Sequence, residues 1–576
     1  MSVECSEILI SRVFYASIVT CFVGLAGETL RDAILASAAP VAVAVAGMDG
    51  CSHASVITLA CDIKWPQLGA VPLFVRHFYE GCYVGPLQSF TADPHAKYRK
   101  IIILGNPGIG KSAFGCYLLW RAIRERRTVV YMSDKHQHAW IFYASGEVQP
   151  FIAEQVKLIA ALGDPGTVFI ADSIEGGPPA VEAFTIVLSS PKRSRWKELH
   201  KKSDAIRLFF PVYSWIEIQE LCAVGFPPST ENTPAGVHAR YVRWGGVPRY
   251  VLEKLDPDSQ GMLDSAVTSL DLDSLAAFLG KNELETDEGI SHRLLHLKTR
   301  GETMTVAVDG ETDVALLPNA WEFYELARTE LASDYTADIV YRALRQHASD
   351  KLQALLDGPP SNPSIATFFG TVYERYVLEM LATDGGTFRR RLMQANGKGA
   401  EDTIAVAPGM GEKRFTTLDD LHALTTMGQP LAVLRPVSKN FCAVDGVLPN
   451  RTPFNVTINK LHTLDLTGSD DNSRGLLSVA EAMMAGGIIV GAGVEVEPAA
   501  KHSGDIPFYW IVPRYVFELK SMMTPRGMRK GGRSVKRDDS DAKRVIQYAV
   551  ELQFAQPQRA AILSASASAA SSTAAS

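Results

Sequence analysis

Short continuous apolar runs, each closing on a polar or turn residue, punctuate the middle of the chain. Ile101-Ile102-Ile103-Leu104, Thr128 to Met132, Thr167 to Ala171 and Phe184 to Leu188 lack the polar/apolar alternation of a half-exposed strand. Such runs, rich in β-branched residues, predict central strands covered on both faces, as in a parallel sheet flanked by helices. Between the first two, Ala113 to Arg126 carries Phe114, Leu118 and Ala122 on one helical face and closes on a basic Arg-Glu-Arg-Arg end, which predicts a helix. Phe209 to Val212 precedes Ser214 and Glu217, an S-x-x-E capping box that predicts the next helix start. Further on, the spacing predicts a helix over Trp321 to Leu356, stopped by Gly358-Pro359-Pro360. Thr371 to Leu381 then reads as a helix, and Asn440 to Asp445 and Pro453 to Ile458 as strands.

The fold class expected is therefore α/β, with a parallel sheet first, a helical connector, and a second, C-terminal α/β domain. The boundaries expected are an unassigned N-terminal region at 1–67, the sheet domain at 68–260, the connector at 261–360 and the second domain at 361–556. The Ser/Ala-rich tail at 557–576 is of a composition that stays disordered. A chain of 576 residues is long enough for two or three cores. The formal net charge of −6 excludes a whole-chain nucleic-acid signature, so any such site is a local basic patch. Eight scattered cysteines without a C-x-x-C pair argue against a zinc site and a disulfide scaffold. No run of 18 apolar residues predicts a membrane span. Val13 to Ala26 is apolar like a signal-peptide core, but Glu4 and Glu7 stand before Arg12 where positive charge is expected. A buried strand or helix fits it better.

The candidate chemistry begins where the first apolar run ends. Gly105, Asn106, Pro107, Gly108, Ile109, Gly110, Lys111 and Ser112 spell a complete G-x-x-x-x-G-K-S phosphate loop between a predicted strand and helix. Glycines bring backbone N–H groups onto phosphates, Lys111 reaches the β- and γ-phosphates, and the Ser112 hydroxyl suits Mg²⁺. This predicts a nucleoside triphosphate with Mg²⁺. A second acidic residue is required at a strand end, and Asp172 closes the run Thr167 to Ala171. Glu175 follows and is a candidate for orienting the attacking water. Ser189, at the end of another run, sits where a polar group senses the γ-phosphate, although serine there is also ordinary turn chemistry. Arg249, in Trp244-Gly245-Gly246-Val247-Pro248-Arg249-Tyr250, is a candidate in-cis arginine.

The blocks GNPGIGKSAFGCYLLW, VFIADS, LSSPKRSRWKELHKK, FFPVYSWIEIQELC and RWGGVPRYVLEK occur in this order, followed by TVYERYVLEML, NFCAVDGVLP, PFNVTINKLHTL, FYWIVP and RVIQYAVEL. Over roughly residues 68–556 the sequence resembles the Crinkler effectors and the related retrotransposon hot spot proteins. The resemblance implies a P-loop NTPase (ATP as substrate) followed by a restriction-endonuclease-like domain. It further implies a secreted virulence effector directed at nucleic acid, DNA before RNA, in a host nucleus, with the cytoplasm as second choice. The Leu-rich translocation header of Crinklers is not found here.

Restriction-endonuclease-like sites hold divalent metal with a helix Glu and a strand-end Asp, then use Glu/Gln-x-Lys on the next strand. Glu374 and Asp445 fill the first two positions; Asn455 and Thr457 stand where the last two are expected. Lys460 is displaced, and His462 reads as a surface or core histidine. The metal-binding half is thus kept and the lysine-dependent half is not. Arg526, Arg529, Lys530, Arg533, Lys536 and Arg537, interleaved with glycines, predict a flexible phosphate-contacting loop or a nuclear-import signal. Two readings stand: an ATPase coupled to a nuclease-like, nucleic-acid-directed domain, or an ATPase switch or signalling scaffold whose C-terminal domain binds protein or nucleic acid without cutting.

Overall fold

The computed structural model describes residues 25–44, 53–59, 63–83 (apart from 67, 69 and 70), 97–133, 138–152, 156, 159–201, 204–226, 229, 231–268, 275, 291–299, 320–347, 350, 352, 363–394, 397, 399–426, 432–437, 444–458, 464–467, 475–485, 506–519, 528–530, 533–535 and 539–552. Most of the apolar stretch at 13–26, Lys460, His462, Arg526, Lys536, Arg537 and the tail at 557–576 lie outside these residues. The chain divides into two units, Met1–Thr336 and Ala337–Ser576.

In the first unit, β1 (Val41–Ala44), β2 (His53–Ile57) and β3 (Leu73–Val75) form an antiparallel sheet. The main sheet has seven strands: β4 (Lys100–Leu104), β5 (Val129–Ser133), β6 (His138–Phe142), β7 (Val148–Ile152), β8 (Val168–Asp172), β9 (Phe184–Ser189) and β10 (Ala205–Phe209). Their order is β10-β4-β9-β8-β5-β6-β7. The first five run parallel, and β6 and β7 add an antiparallel edge. Both faces are covered, which is why the sequence runs are continuously apolar. Along β5 and β8 the side chains alternate between two cores. Val129, Tyr131, Val168 and Ile170 join the core of the helix Lys111–Arg124, whereas Val130, Met132, Phe169 and Ala171 join the opposite one. Leu30 and Ile34 of the helix Leu25–Ala36 pack into the first of these, so the N-terminal region is part of this unit's core.

The helix expected over 321–356 is interrupted. Ala320–Tyr324 is a 3₁₀ turn, β12 (Ala327–Leu331) is a strand paired antiparallel with β11 (Leu295–Thr299), and the helix Asp334–His347 follows. Ala327-Arg328-Thr329-Glu330-Leu331 alternates small or apolar with charged residues, a period of two that the helical spacing on either side concealed. The region read as a helical connector therefore supplies a strand pair to the first unit.

The second unit is built on β13 (Gly386–Leu392), β14 (Glu401–Val406), β15 (Glu412–Phe415), β16 (Val433–Pro436), β17 (Gly446–Val447), β18 (Pro453–Val456), β20 (Ile506–Val512) and β23 (Val545–Glu551). The mixed sheet has the order β14-β13-β23-β20-β18-β17-β16-β15. A separate sheet joins β19 (Leu464–Asp465) to β21 (Met528–Lys530) and β22 (Arg533–Val535). The helix Pro363–Glu379 carries Glu374. Arg389, Arg390 and Arg391 on β13 are spent on structure: Arg390 makes a two-pronged pair with Asp402 at 2.8 and 2.6 Å, and Arg391 donates to Glu401 at 2.6 Å. Among the described residues no helix is long and apolar enough to cross a membrane.

His296 on β11 is buried, and Gly245 backs onto its ring: a Cβ there would lie 2.9 Å from His296 Cε1. Burial, aided by the charge of Lys298, pushes its pKa down to about 3. The folded value lies below the unfolded one, so the unfolded chain takes the proton first and stability falls as pH drops below about 6.5. Between pH 6.5 and 5 this one group costs about 2 kcal/mol. The melting-temperature drop from pH 7 to pH 5 should accordingly be smaller in His296→Gln; an equal drop would assign the acid sensitivity to other groups.

Candidate functional site

Gly105 to Gly110 leave the carboxyl end of β4, and the helix Lys111–Arg124 starts at once. Gly108 and Gly110 both have φ of +84°, a left-handed conformation that β-carbons disfavour. The turn they make directs the first N–H groups of a fourteen-residue helix into the loop. Register fixes what lies beside it. Leu104 pairs with Ser189 on β9, and Leu188 pairs with Asp172 on β8. The loop, Ser189 and Asp172 thus share one edge of the sheet. That edge is where the chain reverses direction across the sheet: from β4 it crosses to β5 on one side, and from β9 to β10 on the other. Such crevices are the ligand sites of open α/β sheets.

Asp172 is fully buried (0% exposed) and follows Val168 and Ile170 onto the face of the phosphate-loop helix. The Ser173 hydroxyl donates to its Oδ1 at 3.0 Å, and the Tyr131 hydroxyl stands 3.4 Å from Oδ2. Ser173 itself has φ of +59°, a strained backbone held by its N–H bond to the Leu188 carbonyl at 2.8 Å. Glu175 lies two residues further along an exposed turn. Ser112 is half-buried in the first helical turn. The Ser189 hydroxyl is buried without a hydrogen-bond partner among the described residues.

Lys111 is 8% exposed, and its ammonium donates to the carbonyls of Gly105 at 2.7 Å and Asn106 at 2.8 Å. Burial brings its pKa down to about 7; Asp172 opposes the fall, and the positive charges of Arg249 and Arg195 add to it. Lys111 thus lies within the field of one carboxylate and two other cations. Arg249 opens a π-helical turn, Arg249–Glu253, and packs on the loop: a Cβ at Gly108 would meet the Arg249 Cβ at 2.7 Å and Nε at 3.2 Å. Arg195 was not read from the sequence as a site residue. Its signal was its position six residues beyond Ser189, hidden in the basic stretch Lys192 to Lys202.

A second layer locks the loop. Asn106 is fully buried; its amide donates to the Leu295 carbonyl at 2.8 Å, and its Oδ1 accepts from the Leu297 N–H at 2.9 Å. It takes the place of a strand partner for β11. Gly246 has no room for a side chain, since a Cβ would stand 1.9 Å from the Tyr213 carbonyl oxygen. The Tyr213 hydroxyl lies 3.0 Å from the Cβ position of Gly110, and Arg76 stacks on the Tyr213 ring with 3.9 Å to its centroid. Arg76 is paired with Glu217 at 2.7 Å, and Glu217 also closes the predicted capping box with Ser214.

In the second unit, Asp445 precedes β17 and accepts from the Val456 N–H at 2.7 Å. Gly446 pairs with Phe454, so the next step of the ladder brings Asp445 opposite Asn455. Burial pushes the Asp445 pKa up to about 8, and the negative charge of Glu374 adds to the rise; Arg375 and Arg435 oppose it. Glu374 on its helix and Asp445 at the sheet are thus electrostatic neighbours. Asn455 and Thr457 are both buried. Among the described residues no group of three His, Cys, Asp or Glu side chains suits a metal ion. Of the basic segment expected as a flexible loop, Arg529, Lys530 and Arg533 lie on the hairpin of β21 and β22, with Lys530 opposite Arg533.

Over 381 residues the sequence is 26% identical to Crinkler effector protein 15 and, equally, to Crinkler effector protein 16, both of Phytophthora infestans. The chain is a distant homologue of Crinkler effectors. The match covers 64% of this chain and 56% of each relative, so the chain spans little more than half the length of the curated relatives it matches. No family model matches the sequence.

Proposed function

We propose that the first unit is a P-loop NTPase binding a nucleoside triphosphate, ATP by the resemblance, at Gly105 to Ser112. The observation that supports this reading is the glycine loop with Lys111 buried in it and Arg249 packed on Gly108, level with Asp172 and with a Ser189 hydroxyl that has no hydrogen-bond partner among the described residues. The donor set suits Mg²⁺: the Ser112 hydroxyl and the Asp172 carboxylate are hard oxygen ligands of the kind this ion takes. When bound, Mg²⁺ neutralises charge on the β- and γ-phosphates. The chain's own residues do the rest. The loop N–H groups and the helix start bind phosphate oxygens, Lys111 exchanges the Gly105 and Asn106 carbonyls for them, and Arg249 reaches them across Gly108.

The second unit we read as a restriction-endonuclease-like domain that binds nucleic acid, DNA before RNA, in preference to cutting it. Two neighbouring carboxylates, of which burial and the negative charge of Glu374 raise the pKa of Asp445, with an amide at Asn455 and a hydroxyl at Thr457, offer neither a third anionic ligand nor a cation on that strand. This donor set does not suit metal-assisted hydrolysis, and no cutting step is assigned to it. Arg529, Lys530 and Arg533, whose backbone lies on the hairpin of β21 and β22, are the cations assigned to phosphates in this reading. The distant homology supports an effector role, and the Crinkler resemblance supports a host nucleus as its place of action.

The test measures Mg²⁺-dependent nucleotide turnover with and without duplex DNA, and DNA affinity across a salt series. DNA binding should weaken with salt, and replacing Arg529, Lys530 and Arg533 together should flatten the log–log slope by about 2 to 3. Sequence preference should be weak, since phosphate contacts carry no sequence information. Efficient Mg²⁺-dependent cleavage that vanishes in Asp445→Ala would reverse the order and make nuclease action the main activity.

A further inference from the structure

Resting on the NTPase reading of the first unit, we propose that Arg195 is a second in-cis catalytic arginine, its guanidinium bonding the γ-phosphate oxygens as the β–γ bond breaks. Three geometric observations carry this. Arg195 ends the 3₁₀ turn Arg193–Arg195, which starts after three intervening residues beyond β9, whose last residue Ser189 is level with the start of the phosphate loop. The backbone of Arg195 is held against the turn that follows Asp172: Gly177, with φ of +82°, would place a Cβ 2.9 Å from the Arg195 carbonyl oxygen. The chain thus fixes Arg195 beside the residues on the metal side of the site. Finally, the Nε of Arg195 is buried with no hydrogen-bond partner among the described residues. A buried guanidinium N–H without an acceptor is costly, and a ligand oxygen removes that cost. The positive charge felt at Lys111 from Arg195 agrees with this placement.

The division of labour follows from position. Arg249 approaches from the Gly108 side of the loop, and Arg195 from the β9 side. In the hydrolysis step, a water oxygen forms a bond to the γ-phosphorus as the bond to the β–γ bridging oxygen breaks. The electron pair stays on the nucleoside diphosphate, and a water proton passes to the inorganic phosphate. Charge builds on the bridging and γ-oxygens, where a guanidinium fork bonds two oxygens at once and an ammonium cannot.

The experiment compares wild type, Arg195→Ala and Arg195→Lys, with Lys111→Ala as the control for the underlying reading. It records kcat, affinity for a fluorescent ATP analogue, and affinity for ADP with aluminium fluoride, a mimic of the transferring phosphoryl group. Arg195→Ala is expected to lower kcat by about 30-fold, less than a lone arginine finger because Arg249 shares the charge. It should keep ATP-analogue affinity within about threefold and lose the extra affinity for the fluoride complex. Arg195→Lys should recover only part of kcat. If Arg195→Ala matches wild type in kcat and fluoride-complex affinity, or loses ATP-analogue and fluoride-complex affinity in equal measure, the proposal is overturned while the NTPase reading stands. If wild type and Lys111→Ala are equally inactive and fail to bind the analogue, the NTPase reading falls and Arg195 with it.

Discussion

Lys111→Ala is expected to lower Mg²⁺-dependent nucleotide hydrolysis by at least about 10²-fold, the scale of one lost donor to transition-state charge. The fold should survive the change. Among the described residues the ammonium bonds to the Gly105 and Asn106 carbonyls and makes no ion pair. Its pKa of about 7 in the folded chain lies below the ordinary lysine value of 10.5. A base depressed in this way opposes folding at neutral pH, because the unfolded chain holds its proton more tightly; the opposition fades as pH rises toward the ordinary value. Removing the amine therefore relieves a cost and should leave the melting temperature close to that of wild type. The two measurements together separate a lost phosphate contact from a damaged protein. Wild-type turnover in a folded Lys111→Ala variant would remove the loop from the chemistry.

Asp172→Asn should lower turnover by a similar factor, about 10²-fold, with nucleotide affinity changed only a few-fold. Asparagine keeps the shape and still accepts from the Ser173 hydroxyl, so the buried end of β8 stays filled. What it lacks is the charge that would complete the proposed Mg²⁺ site with Ser112. The same charge holds the Lys111 ammonium up against burial. The variant should consequently show nucleotide binding that weakens earlier than in wild type as pH is raised through 7 to 8. Equal losses of affinity and turnover, with no change in pH dependence, would make Asp172 a structural residue.

The loop, its strand and its helix were legible because each residue type there is forced locally: glycines by the left-handed turn, the apolar run by burial on both faces, Ser214 and Glu217 by reciprocal capping. Asp172 was legible for a related reason, as the first polar residue after a buried strand. The order β10-β4-β9-β8-β5 was not, since register between strands far apart in sequence leaves no local mark. Arg195 was missed on the same account. Five residues separate it from Ser189, and other cations nearby dilute the signal. The strand β12 was lost to a different cause: five alternating residues between a 3₁₀ turn and a true helix inherit the helical reading of their flanks. In the second unit, Glu374 and Asp445 could be matched by type, whereas the arginines that temper Asp445, Arg375 and Arg435, belong to a helix and a strand whose approach no spacing reveals.

The double hydrogen bond from Asn106 to Leu295 and Leu297 bears on where the protein can be cut. A fragment ending near residue 260 would keep every letter of the phosphate-loop motif, yet it would leave a buried amide facing solvent with nothing to bond on that side. The smallest piece that keeps this loop fully bonded is therefore set by an asparagine inside it, and it extends through β11 and β12 to about Thr336. A boundary drawn from motifs alone would sever the chain some seventy residues too soon.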